Sequence, residues 1–184
     1  MKKNVFIING SARASGNTDT ILENVIKGAE DHLKVECAVL RSLHIESCNG
    51  CYECIEKGEC PICDDMQPLY PLLEKADLLI FATPNYFCGV TGIMKTFLDR
   101  MFVYFNKKAK QRIACKNAIL IITMNQKDLP SETKIILNTF KIPFKHFGIN
   151  LVASLRREDY LKKAYEIGKT LLPYCINDLN QKHI

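Results

Sequence analysis

Five of the chain's nine cysteines fall within sixteen residues, spaced Cys48-x2-Cys51-x2-Cys54-x5-Cys60-x2-Cys63. Two-residue spacers let one tight loop present several thiolates to a single [4Fe–4S] cube. Cys60 is followed by Pro61, as the last cysteine of such runs is. A structural zinc site ordinarily sets two Cys-x2-Cys knuckles a dozen or more residues apart, a separation missing here. Free thiols and a reversible disulfide complete the readings that the spacing permits. The total is odd and the chain has 184 residues, which argues against a small secreted disulfide scaffold. Cys37, Cys115 and Cys175 read as packing cysteines, and none of the four histidines has a spaced partner that makes a site.

Two further segments carry chemistry. Gly10-Ser-Ala-Arg-Ala-Ser-Gly-Asn-Thr18 follows an apolar run and leads into a helical pattern. Gly10 and Gly16 permit tight backbone paths, Ser11, Ser15, Asn17 and Thr18 bring small hydrogen-bonding groups, and Arg13 adds a fixed charge. With the free N–H groups of a helix N-terminus, that is a phosphate cradle. It is neither a P-loop nor the Gly-x-Gly-x-x-Gly dinucleotide fingerprint. Thr83-Pro-Asn-Tyr-Phe-Cys-Gly-Val-Thr-Gly92 offers Tyr86 and Phe87 as surface for a planar ring, with Cys88 beside them. Taken singly, the first loop also reads as a capped helix start and the second as aromatics closing a core.

The elements that position these loops alternate. Apolar strands are expected at Val5–Asn9, Val35–Leu40, Ala76–Ala82, Ala118–Met124 and Gly148–Ala153. Helices are expected at Asn17–Leu33, opened by a capping box at Thr20–Glu23, and at Asp65–Lys75, Gly92–Phe105, Ser131–Lys145 and Glu158–Leu172, the last ended by Pro173. Ser42–Asp64 reads as turns, and Asn106–Arg112 as a solvated loop. Continuous apolar strands alternating with helices make an α/β protein: a doubly wound, five-stranded parallel sheet with helices on both faces. Ligands bind such sheets where the strand order reverses, which for the order 2-1-3-4-5 lies beyond the carboxyl ends of strands one and three. Those are the strands that the two polar loops follow, so cradle and ring seat share one end of the sheet.

The residues 10–18, Pro84-Asn-Tyr-Phe87 and Lys95-Thr-Phe-Leu-Asp-Arg100 resemble the motifs of the NADPH-dependent FMN reductase and iron–sulfur flavoprotein group, of flavodoxin-like fold. The resemblance implies that Ser11, Arg13, Ser15, Gly16, Asn17 and Thr18 hold the phosphate of FMN, and that Pro84, Asn85, Tyr86 and Phe87 flank its ring. The cysteine segment, with Gly50, Gly58 and Asp64-Asp65-Met66, resembles the compact motif of the iron–sulfur members. That carries over Cys48, Cys51, Cys54 and Cys60 as ligands of a [4Fe–4S] cluster, with Cys63 extra to the set. The loop Thr123-Met-Asn-Gln-Lys127 departs from the pattern, because many relatives have glycines there. Lys95, Asp99 and Arg100 read as a helix-surface ion pair or a subunit contact. The family further implies NAD(P)H as donor, a ferredoxin, an oxygen species or a quinone as acceptor, and a homodimer or homotetramer.

Composition agrees with such a protein. The chain is 47% hydrophobic, 24% charged and +5 in net charge, and no Lys/Arg block marks a nucleic-acid surface. Met1-Lys-Lys3 precedes only a short apolar run, and no stretch reaches the roughly 18 residues of a membrane span, so a cytoplasmic protein is expected. One domain over residues 1–176, with the cysteine-rich loop at 44–64 and a polar tail at 177–184, suits the length. The expected function is an FMN-dependent oxidoreductase that passes electrons from NAD(P)H to an acceptor, with no catalytic acid or base named. The alternative is a non-catalytic thiol or metal redox sensor on the same fold.

Overall fold

A strand that is apolar at every position needs cover on both faces, and Val5–Ile8, Leu78–Ala82 and Ala118–Ile122 are such stretches. The computed structural model describes residues 1–124, 130–155 and 160–176. Its elements are β1 (Lys3–Asn9), α1 (Asn17–Ala29), β2 (Leu33–Val39), α2 (Glu53–Lys57), α3 (Leu69–Lys75), β3 (Leu78–Pro84), α4 (Gly92–Arg100), α5 (Lys107–Gln111), β4 (Asn117–Thr123), α6 (Pro130–Phe147), β5 (Asn150–Leu155), α7 (Tyr160–Lys169) and α8 (Leu172–Cys175). All strand pairings are parallel, in the order β2-β1-β3-β4-β5. This is the flavodoxin-like arrangement.

Alternate strand residues feed two cores. Phe6, Ile8, Leu79, Phe81, Leu120 and Ile122 pack with Leu73, Met94, Phe97, Phe140 and Phe144 from α3, α4 and α6. Val5, Ile7, Leu78, Ile80, Ile119 and Ile121 face Ile21, Leu22 and Val25 of α1, Ala164 of α7 and Tyr174 of α8. The period of two thus divides every central strand between both layers. Among the described residues no helix is long and apolar enough to cross a membrane.

Several expected boundaries move. The helix after β1 opens at Asn17 behind Gly16, so the capping box does not form; the Thr20 hydroxyl instead donates to the Gly16 carbonyl at 3.3 Å. It ends at Ala29, because Leu33 is the first residue of β2. α3 starts at Leu69 rather than Asp65, since Asp64 and Asp65 spend their carboxylates on backbone N–H groups of the cysteine loop. Residues 107–111 form a short helix and not a loop, because the Asn106 side chain caps it by accepting from the N–H groups of Lys108 and Ala109. Pro173 sits in the first turn of α8, where its missing N–H costs nothing. The expected helix start at Glu158 and the tail at 177–184 lie outside the described residues.

α1 and α7 touch through glycines. A Cβ on Gly28 would lie 2.1 Å from the Tyr165 carbonyl oxygen, and one on Gly168 would lie 2.2 Å from that of Val25. Gly28→Ala therefore forces the two backbones apart. It should cost about 1–3 kcal/mol by overpacking, despite alanine's better helix propensity. The Tm should fall by several degrees in thermal denaturation, whereas an unchanged Tm would show that the helices separate freely.

Candidate functional site

The loops after β1 and β3 meet the end of β4 in one cleft of about 540 Å³ beyond the carboxyl ends of the strands. The register brings Asn9 beside Ala82, and the Gly10 N–H donates to the Ala82 carbonyl at 2.8 Å. From there the chain turns sharply into α1. Gly16 is the N-cap and has no side chain to accept, so among the described residues the first N–H groups of α1 have no side-chain cap. The acidic residue of that first turn is spent elsewhere. Burial by itself would raise the Asp19 carboxyl. Bonds from the Asn9 amide (2.6 Å), the Arg41 guanidinium (3.0 Å) and the Ser15 N–H (2.7 Å) outweigh it and hold the carboxyl below its usual range. Asn9 Oδ1 accepts from the Ser11 N–H at 2.9 Å, which completes the fold of the loop. The result is a helix N-terminus open to an anion, flanked by Ser11, Arg13, Asn17 and Thr18. The Thr18 and Thr123 hydroxyls share a hydrogen bond of 2.8 Å and so join α1 to the end of β4.

The ring seat grows from β3. The Asn85 N–H donates to the Thr123 carbonyl at 2.7 Å, carrying the chain past the last strand pair. Tyr86 and Gly89 then exchange two backbone bonds, of 2.9 and 3.0 Å, across a tight turn. Its central residues, Phe87 (φ 48°) and Cys88 (φ 62°), are both left-handed, in a turn shape that favours Asn-Gly. Non-glycine residues there store strain, on the order of 1–2 kcal/mol each. The Phe87 side chain stands fully exposed at the cleft.

Every residue expected to bind the cofactor lines this cleft except Ser15, whose N–H turns inward to Asp19. Thr123 and Met124 add a wall from β4. Residues 125–127 of the departing loop lie outside the described residues. Glu132, from the first turn of α6, also lines the cleft and was missed by the sequence reading. Its signal was the position of Pro130-Ser-Glu132 at a helix start after the strand that neighbours β3. Arg41, at the end of β2, was missed likewise.

The cysteine loop lies apart from the cleft lining. Arg100, expected on the helix surface, is instead buried, its side chain fully inaccessible. Its guanidinium grips the Asp64 carboxylate with both terminal nitrogens, 2.5 and 3.1 Å, and donates to the carbonyls of Glu46 (3.0 Å) and Ile62 (3.3 Å). Burial by itself would raise the Asp64 carboxyl. Arg100 and the N–H groups of Glu46 and Met66 reverse that and hold it low. Lys95 and Asp99 do form the exposed pair expected of them, at 2.6 Å.

Further bonds pin the loop. The Gln67 amide donates to the Cys60 and Ile62 carbonyls, Asn106 to Ile55, and Arg112 to Gly58. All nine cysteines are free. Desolvation raises the buried Cys54 thiol, and the neighbouring Cys60, Cys48 and Cys51 raise it further, so these four share one electrostatic environment. Among the described residues no three His, Cys, Asp or Glu side chains are arranged to hold a metal ion. Cys115 and Cys175 are packing cysteines whose thiols burial pushes up to about 12 and about 11. Cys37, by contrast, is exposed on the edge strand β2.

A family model for NADPH-dependent FMN reductases matches residues 3–127. The chain belongs to that family. An iron–sulfur flavoprotein of Archaeoglobus fulgidus is 43% identical over 96 residues, covering 52% of this chain and 44% of the relative. One of Methanocaldococcus jannaschii is 35% identical over 94 residues, covering 50% and 49%. The chain matches about half the length of these curated relatives. Among solved structures, an NAD(P)H:quinone oxidoreductase from Methanothermobacter marburgensis superposes with a TM-score of 0.77 at 17% identity, over 94% of this chain and 97% of that one. At that identity the likeness concerns the fold.

Asp64→Asn leaves the buried Arg100 without a counter-charge and should cost about 3–5 kcal/mol in chemical denaturation. The pH dependence follows from the depressed carboxyls. A group with a lower pKa folded than unfolded contributes stability that is full above the unfolded value, about 3.9 for Asp. That contribution is lost as pH falls through the folded value. Thermal stability should therefore drop below about pH 4, and Asp64→Asn and Asp19→Asn should each flatten that acid limb.

Proposed function

We propose that the cleft binds FMN, and that the chain is an oxidoreductase taking electrons from NAD(P)H for a small-molecule or protein acceptor. One observation carries the reading: an uncapped helix N-terminus and an aromatic turn open into the same cleft at the strand-order reversal. The open N–H groups of α1 with Ser11, Arg13, Gly16, Asn17 and Thr18 suit the phosphate. Pro84, Asn85, Tyr86 and Phe87 suit the ring. When bound, FMN supplies hydride acceptance from a nicotinamide and one- or two-electron release. The chain's own residues hold and orient the ring and shield one face of it. A homodimer or homotetramer belongs to the same reading, with Phe87 as the exposed residue that a second copy covers. Residues 1–176 then form one FMN-binding domain.

We assign Cys48, Cys51, Cys54 and Cys60 as candidate [4Fe–4S] ligands. The four fall in one loop at the spacing Cys48-x2-Cys51-x2-Cys54-x5-Cys60, which lets one segment present several thiolates to a single cube. The names of the curated relatives support the same assignment.

The experiment is a visible spectrum of anaerobically purified protein, with iron and acid-labile sulfide counted per FMN and NAD(P)H oxidation followed with several acceptors. Flavin bands, NAD(P)H turnover and about four irons per chain are expected. A protein that neither carries nor takes up FMN overturns the reading. FMN without iron under strict anaerobiosis removes the cluster and leaves the flavin, and with no turnover it points to the sensor.

A further inference from the structure

Glu132 receives the Asn85 side chain from the loop after β3: the amide nitrogen donates to its Oε2. The same carboxylate raises the neighbouring Cys88 thiol above its ordinary range. All three residues line the cleft. A carboxylate accepts and does not donate, so the Asn85 amide must turn its NH2 toward Glu132. The backbone of Asn85 is already fixed by its N–H bond to the Thr123 carbonyl, which leaves the side-chain torsions for Glu132 to set. The free end of the amide is then Oδ1, and that atom is buried with no hydrogen-bond partner. A buried, unpaired acceptor in a cleft wall is unfavourable until a ligand brings the donor.

We propose that Glu132 is a positioning residue that locks the Asn85 amide with Oδ1 as the acceptor for a ring N–H of the ligand, which in FMN is N3–H at the pyrimidine edge. The assignment rests on the FMN reading above. Oxidised isoalloxazine carries one ring N–H, so a ligand without it leaves Oδ1 unpaired and is disfavoured. Cys88 sits beside Phe87 in the strained turn and lines the cleft, and the Glu132 carboxylate holds its thiol above the ordinary range, which favours the protonated form.

The test compares the binding of FMN and N3-methyl-FMN to apo wild type, Asn85→Ala, Glu132→Gln and Glu132→Asp, by quenching of flavin fluorescence. In parallel, alkylation of Cys88 by N-ethylmaleimide is followed by peptide mass spectrometry. Wild type should prefer FMN by about ten-fold, the worth of one hydrogen bond. Asn85→Ala should nearly abolish that preference. Glu132→Gln, whose amide can accept from or donate to Asn85, should reduce it and speed Cys88 alkylation several-fold near pH 8. Glu132→Asp should restore part of both. Equal binding of the two flavins by wild type overturns the inference and leaves the FMN reading standing. A Glu132→Gln protein with unchanged preference and unchanged alkylation overturns it too. A wild type that binds no FMN overturns the functional reading and this assignment together.

Discussion

Arg100 has no water to turn to, so the protein must satisfy its charge. Its side chain is fully buried, and Asp64 with the carbonyls of Glu46 and Ile62 takes four of its donor contacts. Those partners lie in the cysteine loop, while Arg100 ends α4, whose N-cap Thr91 donates to the Gly10 carbonyl at the start of the loop after β1. One guanidinium therefore ties the thiol-bearing loop to a core helix anchored at its other end to the glycine-rich loop. Breaking such a pair leaves a bare charge in a poorly polarisable interior, which is why the arrangement behaves as all-or-none. The loop needs this support. From residue 43 to 68 it contains a single helix of five residues, and its thiols are mostly exposed.

The cleft shows the same economy with negative charge. A cleft proposed to take an anion should repel carboxylates, yet Asp19 and Glu132 both stand near it. Each is occupied. Asp19 is answered by Arg41 and Asn9 and serves to shape the loop behind the helix N-terminus. Glu132 is engaged by the Asn85 amide at the start of the loop after β3. Arg13 remains on the cleft wall as a cation with no acidic partner among the described residues. The local balance thus favours an anion at one end of the cleft and a polar heterocycle at the other.

The strands were legible because a strand buried on both faces must be apolar throughout, and Val5–Ile8, Leu78–Ala82 and Ala118–Ile122 have no other use. The two cleft loops were legible because glycine, proline and small polar residues gathered where the strand order reverses. What escaped was set by single side chains. Asn106 starts a helix that residues 107–111 do not announce. Asp64 and Asp65 look like a helix N-terminus and are instead staples of the loop before it. Arg100 looks like its exposed neighbours Lys95 and Asp99, but its position on α4 faces Asp64, 36 residues earlier.

The density of cysteines, the alternation of apolar strands with helices, and the glycine-rich and aromatic loops are local or periodic properties, written in residue type and spacing, and the amino-acid sequence by itself determined them. The partners of Arg100 and Glu132, and the Arg41 that answers Asp19, lie far away along the chain, and a charge does not name its counter-charge. Whether such a residue is solvated or buried depends on which helix face meets which loop. That is decided only when the sheet has closed and its two apolar faces have been covered.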